Sequence, residues 1–125
     1  MSLGNLGKIA IINMTIHDAC DVPERSILND ITYLDNVLSD IVDLCHLTVL
    51  ETSKHTFSPY GVTMCKILSE SHISIHTWPE LHSCAIDVYS CKDDLDDAAI
   101  EAYLRSQFSV VHLNRQVMIR HLGPT

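Results

Sequence analysis

The sequence is short of positive charge. Of its 125 residues, 8 are Lys or Arg and 16 are Asp or Glu, so the formal net charge is −8 at pH 7. Phosphate groups would repel such a chain, and the balance argues against nucleic acid or an anionic membrane as the main partner. The excess of acid is compatible with a cationic small substrate, although net charge does not identify one.

The sequence also lacks a disulfide framework, a CxxC motif and any long apolar run. The cysteine count is odd, and the spacing fits neither a zinc ribbon nor a set of disulfides. The five are Cys20, Cys45, Cys65, Cys84 and Cys91. No apolar stretch approaches the ~18 residues of a membrane span, and no basic region precedes an apolar one at the N-terminus. We therefore expect a cytoplasmic protein with reduced, mostly buried cysteines and no membrane partner.

The length and the apolar content of 46% predict a single folded domain over residues 1–125. The apolar residues between Ile27 and Cys45 recur at spacings of three and four, which predicts an amphipathic helix that starts near Pro23. Asn29 and Asp35 belong to its solvated polar face. A second amphipathic helix is predicted over residues 95–104, after an acidic stretch that suits a first helical turn.

Alternation and β-branched residues predict about six strands, with a loop over residues 54–61. The predicted strands cover residues 8–14, 47–52, 62–68, 73–78, 84–90 and 110–122. Two helices beside six strands indicate an α+β fold. We expect a two-layer α/β sandwich, with a largely antiparallel sheet and both helices on one face.

The segment from residue 69 to residue 91 is dense in reactive side chains. Its first part reads ESHISIHTWPE, from Glu70 to Glu80. His72 and His76 have the i, i+4 spacing of a helical zinc motif, but they alternate with Ile73 and Ile75 as a strand does and lack the HExxH glutamate, which disfavours a metal site.

Two further interpretations of the same segment remain open from the residues alone. Ser71, His76 and Asp87 could form a hydrolase triad, but no GxSxG elbow is present and spacing does not establish a triad. The histidines could instead be ordinary hydrogen-bonded residues of a polar strand. That interpretation accounts poorly for so many reactive groups in one short hairpin.

The segment ESHISIHTWPE closely resembles the small prokaryotic S-adenosylmethionine decarboxylase proenzymes, which make their own pyruvoyl cofactor. HTFSPYGVT (His55 to Thr63) and AIDVYSC (Ala85 to Cys91) match the same family. The resemblance is strong from about residue 55 to residue 91, and elsewhere it rests on length and element order. It implies a pyruvoyl-dependent carboxy-lyase of polyamine biosynthesis that is translated as an inactive zymogen.

The resemblance implies autocatalytic cleavage between Glu70 and Ser71, which gives a β chain of residues 1–70 and an α chain of residues 71–125. The Ser71 hydroxyl attacks the Glu70 carbonyl, the resulting ester is split by β-elimination, and the dehydroalanine hydrolyses to a pyruvoyl group. By the family match, His76 assists the elimination. Thr63 stands where the family usually has a serine that assists the acyl shift, and it keeps the hydroxyl.

The resemblance also assigns roles in turnover. The pyruvoyl group made from Ser71 forms a Schiff base with the substrate amine and takes up the electrons released with carbon dioxide, and Cys91 is the proton donor. No metal or added cofactor is needed. The implied substrate contacts are Phe57 and Trp78 against the nucleoside, Glu80 on the ribose hydroxyls and Ile73 in the pocket wall. The family forms homodimers with active sites at the interface, so that Phe57 would reach the site of the other protomer.

Several positions depart from the usual family pattern. They are Lys8, Asn13, the Met64-Cys65-Lys66 segment, Leu81-His82 and Lys92. None removes a catalytic group, but together they indicate a divergent member. S-adenosylmethionine is the favoured substrate, because Phe57, Trp78 and Glu80 are retained. The alternatives are L-ornithine or L-arginine on the same scaffold, and a non-catalytic interaction subunit.

Overall fold

The computed structural model describes residues 4–92 and 94–123, which form six strands, two α-helices and three short 3-10 turns. The 3-10 turns are Pro23–Arg25, Ile27–Asn29 and Pro79–Leu81. The strands and helices in chain order are β1 Asn5–Ile16, α1 Ile31–Leu44, β2 Val49–Thr56, β3 Val62–Leu68, β4 Ser71–Trp78, β5 Ser83–Ser90, α2 Asp97–Gln107 and β6 Val110–His121.

The strands form one sheet in the order β2-β3-β4-β5-β1-β6, and every neighbouring pair is antiparallel. One face carries the core. Alternate residues of the inner strands, such as Ile73 and Ile75 of β4, are buried on this helix-covered face together with the apolar side of α1. The predicted α+β sandwich is confirmed, because a sheet with one apolar face buries it against amphipathic helices.

The second face of the sheet has no helix over it. Its side chains alternate with the buried ones and are exposed or half-exposed; they include Ile9, Thr63, His76, Trp78 and Met118. We call this surface the open face. The fold therefore has two layers. The reactive side chains of β4 lie partly on the helix-covered face and partly on the open face.

The first helix begins later than predicted. The sequence pattern predicts helix from about Pro23, but α1 starts at Ile31, after two 3-10 turns. The Asp18 carboxylate accepts hydrogen bonds from the Ser26 hydroxyl (2.6 Å) and the Ile27 backbone N–H (3.2 Å). These bonds hold the segment in a separate turn, and the Asp30 side chain then caps α1 by accepting from the Tyr33 N–H.

The predicted loop over residues 54–61 is shorter in the structure. Strand β2 continues to Thr56, because its pairing with β3 runs without interruption from Glu51 opposite Ile67 to Thr56 opposite Val62. The strand has no buried residue, so hydrophobic alternation gives no sign of its extension from Thr52 to Thr56. Backbone pairing to a buried neighbour decides its length.

A buried lysine ties α1 to the sheet. Lys66 projects from β3 on the helix-covered side and is 3% exposed. Its ammonium group donates to the Asp35 carboxylate on α1 (2.6 Å) and to the Thr52 hydroxyl on β2 (3.1 Å). The hydrogen bond from Lys66 is the largest effect that lowers the pKa of Asp35, which also binds Lys54 at 3.0 Å. Asp35 is therefore a structural anion rather than part of a solvated helix face.

We predict that Asp35→Asn lowers the free energy of unfolding by about 3 kcal/mol, because it leaves the buried Lys66 charge without its counter-ion. Removing the exposed partner by Lys54→Met should cost at most about 1 kcal/mol. Urea unfolding of both variants measures the difference. Because the pKa of Asp35 is lowered on folding, its contribution is present above the ordinary value of 3.8 and is lost as the pH falls through the lowered one. Equal small losses in both variants would contradict the assignment.

Candidate active site

The turn between β3 and β4 holds the Glu70–Ser71 peptide bond. Leu68 pairs with Ser71 across it, so the turn consists of Ser69 and Glu70. Glu70 has a φ of +63°, in the left-handed region that costs a non-glycine residue about 1 kcal/mol. The Cys91 N–H donates to the Glu70 carbonyl oxygen at 3.1 Å. The carbonyl is thus fixed and polarised by a backbone donor from the end of β5.

The Ser71 hydroxyl lies at the start of β4 on the helix-covered side. Among the side-chain nitrogen and oxygen atoms of residues 4–92 and 94–123, Ser71 Oγ is the buried one without a hydrogen-bond partner. It borders a cavity of about 100 Å³, between the loop that follows α1 and the end of β5, where Ser90 and Lys92 lie. A buried hydroxyl without a hydrogen-bond partner lowers the stability of the fold. A functional role for Ser71 would account for keeping such a hydroxyl beside the Glu70 carbonyl.

Gly7 of β1 allows the end of β5 to approach this turn. Its φ is +116°, and a Cβ added to it would lie 2.1 Å from the Ser90 carbonyl oxygen and 2.8 Å from the Cys91 Cα. Only glycine fits such an approach. Sequence reasoning missed Gly7, since an isolated glycine near a strand end carries no signal of what packs on it.

The opposite end of β4 carries a second cluster. Thr63 of β3 pairs with His76 of β4, and the Thr63 hydroxyl and His76 Nδ1 are hydrogen-bonded. The His76 ring packs edge-on against Trp78, with ring centroids 5.3 Å apart. A cavity of about 230 Å³ opens beside them, and its lining includes Phe57, Thr63, His76, Trp78 and Glu80. Five of the residues singled out in the sequence therefore meet around one cavity.

A partly buried hydrogen bond fixes the loop that carries Phe57. The Phe57 N–H donates to the Gly61 carbonyl at 2.8 Å, and the Gly61 N–H donates to Asn29 Oδ1 at 2.7 Å. Asn29 lies in the 3-10 turn Ile27–Asn29 before α1. The sequence pattern placed this asparagine in water on a helix face, because nothing in the local sequence indicates a contact 32 residues away.

The two clusters do not meet within one protomer. Ser71 and His76 are five residues apart on β4, which separates their Cα atoms by roughly 16 Å. An odd separation on a strand also places them on opposite faces. Ile73 lies between them, fully buried in the core, and lines neither of these two cavities. Cys91 lies at the Ser71 end, while Thr63, Phe57, Trp78 and Glu80 lie at the His76 end.

The same geometry bears on the alternatives that the sequence left open. Ser71 on the covered side cannot join His76 and Asp87 of the open face in a triad within one protomer. Within the described residues, no group of three or more His, Cys, Asp or Glu side chains converges on a metal position. No helix of the described residues is long and apolar enough to cross a membrane.

Comparison with known proteins gives one consistent result. The family model described as S-adenosylmethionine decarboxylase matches residues 13–121. The chain is 38% identical over 98 residues to the S-adenosylmethionine decarboxylase proenzyme of Pelotomaculum thermopropionicum. That match covers 78% of each of the two chains. It is 36% identical over 120 residues to that of Methanococcus aeolicus, covering 92% of this chain and 97% of the relative.

A solved structure agrees with the sequence matches. The crystal structure of the adenosylmethionine decarboxylase from Aquifex aeolicus superimposes with a TM-score of 0.79 at 26% identity, and the match covers 97% of this chain and 95% of that one. Fold and sequence together define the class as a small α+β decarboxylase. The chain belongs to the S-adenosylmethionine decarboxylase family, which confirms the resemblance drawn from its motifs.

We predict that Asn29→Ala loosens the Phe57–Gly61 loop, because the Gly61 N–H loses an acceptor worth about 1 kcal/mol. Trp78 is the single tryptophan of the chain and lines the same cavity, so it reports on this loop. Acrylamide should quench its fluorescence more strongly in the variant. Asn36→Ala, at an exposed position of α1, is the control and should quench like the unaltered protein. Equal quenching in all three would contradict the anchoring role of Asn29.

Proposed function

We propose that the protein is a self-processing, pyruvoyl-dependent decarboxylase that releases carbon dioxide from S-adenosylmethionine, in polyamine biosynthesis. The observation that carries the proposal is the turn before β4. There the buried Ser71 hydroxyl has no hydrogen-bond partner, and the Glu70 carbonyl accepts the Cys91 N–H. The relatives named above are called S-adenosylmethionine decarboxylases, and two of them proenzymes. Nothing favours a basic amino acid as substrate.

The first step of processing is an acyl shift at this turn. Ser71 Oγ attacks the carbonyl carbon of Glu70, the Glu70–Ser71 C–N bond breaks, and the Ser71 nitrogen takes the hydroxyl proton. The negative charge that develops on the Glu70 oxygen is stabilised by the Cys91 N–H, already at 3.1 Å. The left-handed conformation of Glu70 favours the step, since cleavage releases its strain.

Elimination then separates the chains. His76 accepts the α-proton of Ser71, the ester C–O bond breaks, and Glu70 leaves as a carboxylate at the end of residues 1–70. The dehydroalanine at position 71 adds water and loses ammonia, which leaves the pyruvoyl group at the start of residues 71–125. The hydrogen bond to Thr63 orients the His76 ring for this proton transfer.

His76 of the same protomer is too far away for this role, so we propose that a second copy supplies it. Two open faces packed about a two-fold axis near the middle of β4 bring the Ser71 end of one strand to the His76 end of the other. The open face suits such a partner, since Ile67, Trp78 and Met118 are 49%, 39% and 60% exposed on it. The active unit is then a homodimer in which Thr63, His76 and Phe57 act on the partner's turn.

The same dimer also completes the substrate site. Phe57 and Trp78 stack on the adenine and face the sulfonium charge, while the Glu80 carboxylate accepts hydrogen bonds from the ribose hydroxyls. Their cavity of about 230 Å³ is below the usual size of a ligand site, as expected of a site completed by a second copy. The pyruvoyl group, once formed, supplies the electron sink for loss of carbon dioxide. Cys91 gives a proton to the substrate carbon. The cytoplasmic location remains a prediction from the sequence.

Release of carbon dioxide from carboxyl-labelled S-adenosylmethionine, L-ornithine and L-arginine, each assayed separately, tests the function. We expect release from S-adenosylmethionine alone, and we expect Ser71→Ala to remain one chain and release none. Release from ornithine or arginine alone would overturn the substrate and keep the chemistry. Cleavage of the Ser71→Ala chain after residue 70 would overturn the mechanism.

Co-expression of two inactive variants tests whether the site is shared. Neither Ser71→Ala nor His76→Ala should be cleaved when expressed alone. In a mixed dimer the intact Ser71 of the His76→Ala chain faces the intact His76 of the Ser71→Ala chain, so only the His76→Ala chain should be cut. Differently tagged chains on a denaturing gel show which is cleaved. An uncut His76→Ala chain in isolated mixed dimers would contradict the shared site.

A further inference from the structure

Ser90 lies directly opposite Ser71 where β5 pairs with β4, and both side chains project to the helix-covered face. Opposed residues of an antiparallel pair have their Cβ atoms roughly 5 Å apart. Ser90 is 3% exposed, and the Ser71 hydroxyl oxygen is buried as well. No hydrogen bond joins the two hydroxyls directly, since Ser71 Oγ has no partner in residues 4–92 and 94–123. Two buried hydroxyls therefore lie close together beside the Glu70–Ser71 bond.

The Ser90 hydroxyl is held by its own surroundings. Its oxygen accepts a hydrogen bond from the Lys92 N–H at 3.2 Å, and Ser90 is paired on its other side with Lys8 of β1. A serine hydroxyl has one donor hydrogen and two acceptor lone pairs. The Ser90 hydroxyl therefore keeps its hydrogen and one lone pair for a further partner.

Both serines line the cavity of about 100 Å³, and a cavity of this size holds water where polar groups line it. Ser90 also lines a second cavity of about 290 Å³, together with the exposed residues Asp94 and Asp96. Of the described polar residues that line the smaller cavity, Ser71 and Ser90 alone are not exposed. The exposed ones are His46, Thr48, Ser69, Glu70 and Lys92. A water molecule beside Ser71 Oγ thus has Ser90 as its buried partner.

We propose that Ser90 is a positioning residue for the acyl shift, and that its hydroxyl holds a water molecule against the Ser71 hydroxyl. The spacing of the two side chains suits a bridging water, because it exceeds a direct hydrogen bond. The inference rests on the proposed function, in which Ser71 attacks the Glu70 carbonyl.

The proton count shows what the water contributes. As Ser71 Oγ bonds to the Glu70 carbonyl carbon, the hydroxyl proton has to reach the Ser71 nitrogen, which leaves that carbon. Direct transfer would pass through a strained ring of four atoms, whereas one bridging water enlarges the ring to six. The water accepts the proton from Ser71 Oγ and gives another to the nitrogen as the C–N bond breaks. The water and Ser90 end with the protons they had at the start.

The first test separates the acyl shift from elimination. In a His76→Ala background the ester at Ser71 is not eliminated, so hydroxylamine can attack its carbonyl carbon and give a Glu70 hydroxamate and a free Ser71 hydroxyl. At hydroxylamine concentrations that no longer affect the rate, the acyl shift limits the appearance of the 1–70 fragment. Adding Ser90→Ala should lower this rate about tenfold or more, because the water loses its buried partner.

Ser26→Ala in the same background is the matched control. Ser26 is also 3% exposed, and its oxygen also accepts the N–H of the second residue along the chain, that of Leu28 at 3.0 Å. It lies between two 3-10 turns before α1 and should leave the rate unchanged. Urea unfolding shows that each variant is folded. Equal rates with and without Ser90→Ala would overturn the proposal.

Ser90→Thr and Ser90→Val form a second pair, since these two side chains have nearly the same shape and differ in the hydroxyl. In the same background, Ser90→Thr should be cut at close to the rate of the chain with Ser90, and Ser90→Val about tenfold or more slowly. Similar rates in the two variants, whether high or low, would overturn the role of the hydroxyl. The proposed function fails separately. It is refuted if the unaltered chain does not cleave itself and hydroxylamine releases no 1–70 fragment from the His76→Ala chain with Ser90 intact.

Discussion

The two-residue turn between β3 and β4 sets the register on which the rest of the site depends. With Leu68 opposite Ser71, the pairing continues down the hairpin until Thr63 lies opposite His76. On the other side of β4, Ser71 pairs with Ser90, which brings the Cys91 N–H to the Glu70 carbonyl. A slip of one residue would turn every side chain of β4 to the other face. The turn that contains the left-handed residue Glu70 therefore sets the positions of both the Ser71 cluster and the His76 cluster.

Most strands and the layer arrangement could be predicted because alternation is a local property. His72, Ile73, Ser74 and Ile75 alternate polar and apolar, and they form a strand with the isoleucines buried. The start of α1 could not be predicted in the same way. The spacing from Ile27 onward fits a helix, but Asp18 binds Ser26 and the Ile27 N–H, and that contact overrides the local pattern. The whole of β2 is exposed, so its far end gave no hydrophobic signal.

The motif identified the chemical groups, but their arrangement depends on distant parts of the chain. The odd spacing of Ser71 and His76 on a predicted strand implies opposite faces, so their separation within one protomer could be predicted. The contacts of Asn29 and Gly7 could not be predicted, because Asn29 binds a residue far along the chain and Gly7 packs on the end of a neighbouring strand. Their roles come from tertiary packing alone.

The strand order has a consequence for refolding if the chain is cut after residue 70. Cutting at residue 70 would leave β1, β2 and β3 on one chain and β4, β5 and β6 on the other, yet β1 lies between β5 and β6. Three ladders, β3 with β4, β5 with β1 and β1 with β6, then join the two pieces. A chain cut there would consist of two interlaced halves that hold together without a covalent link. After denaturation the halves would have to find each other by diffusion, so refolding would depend on concentration, whereas the uncut chain folds as a single molecule.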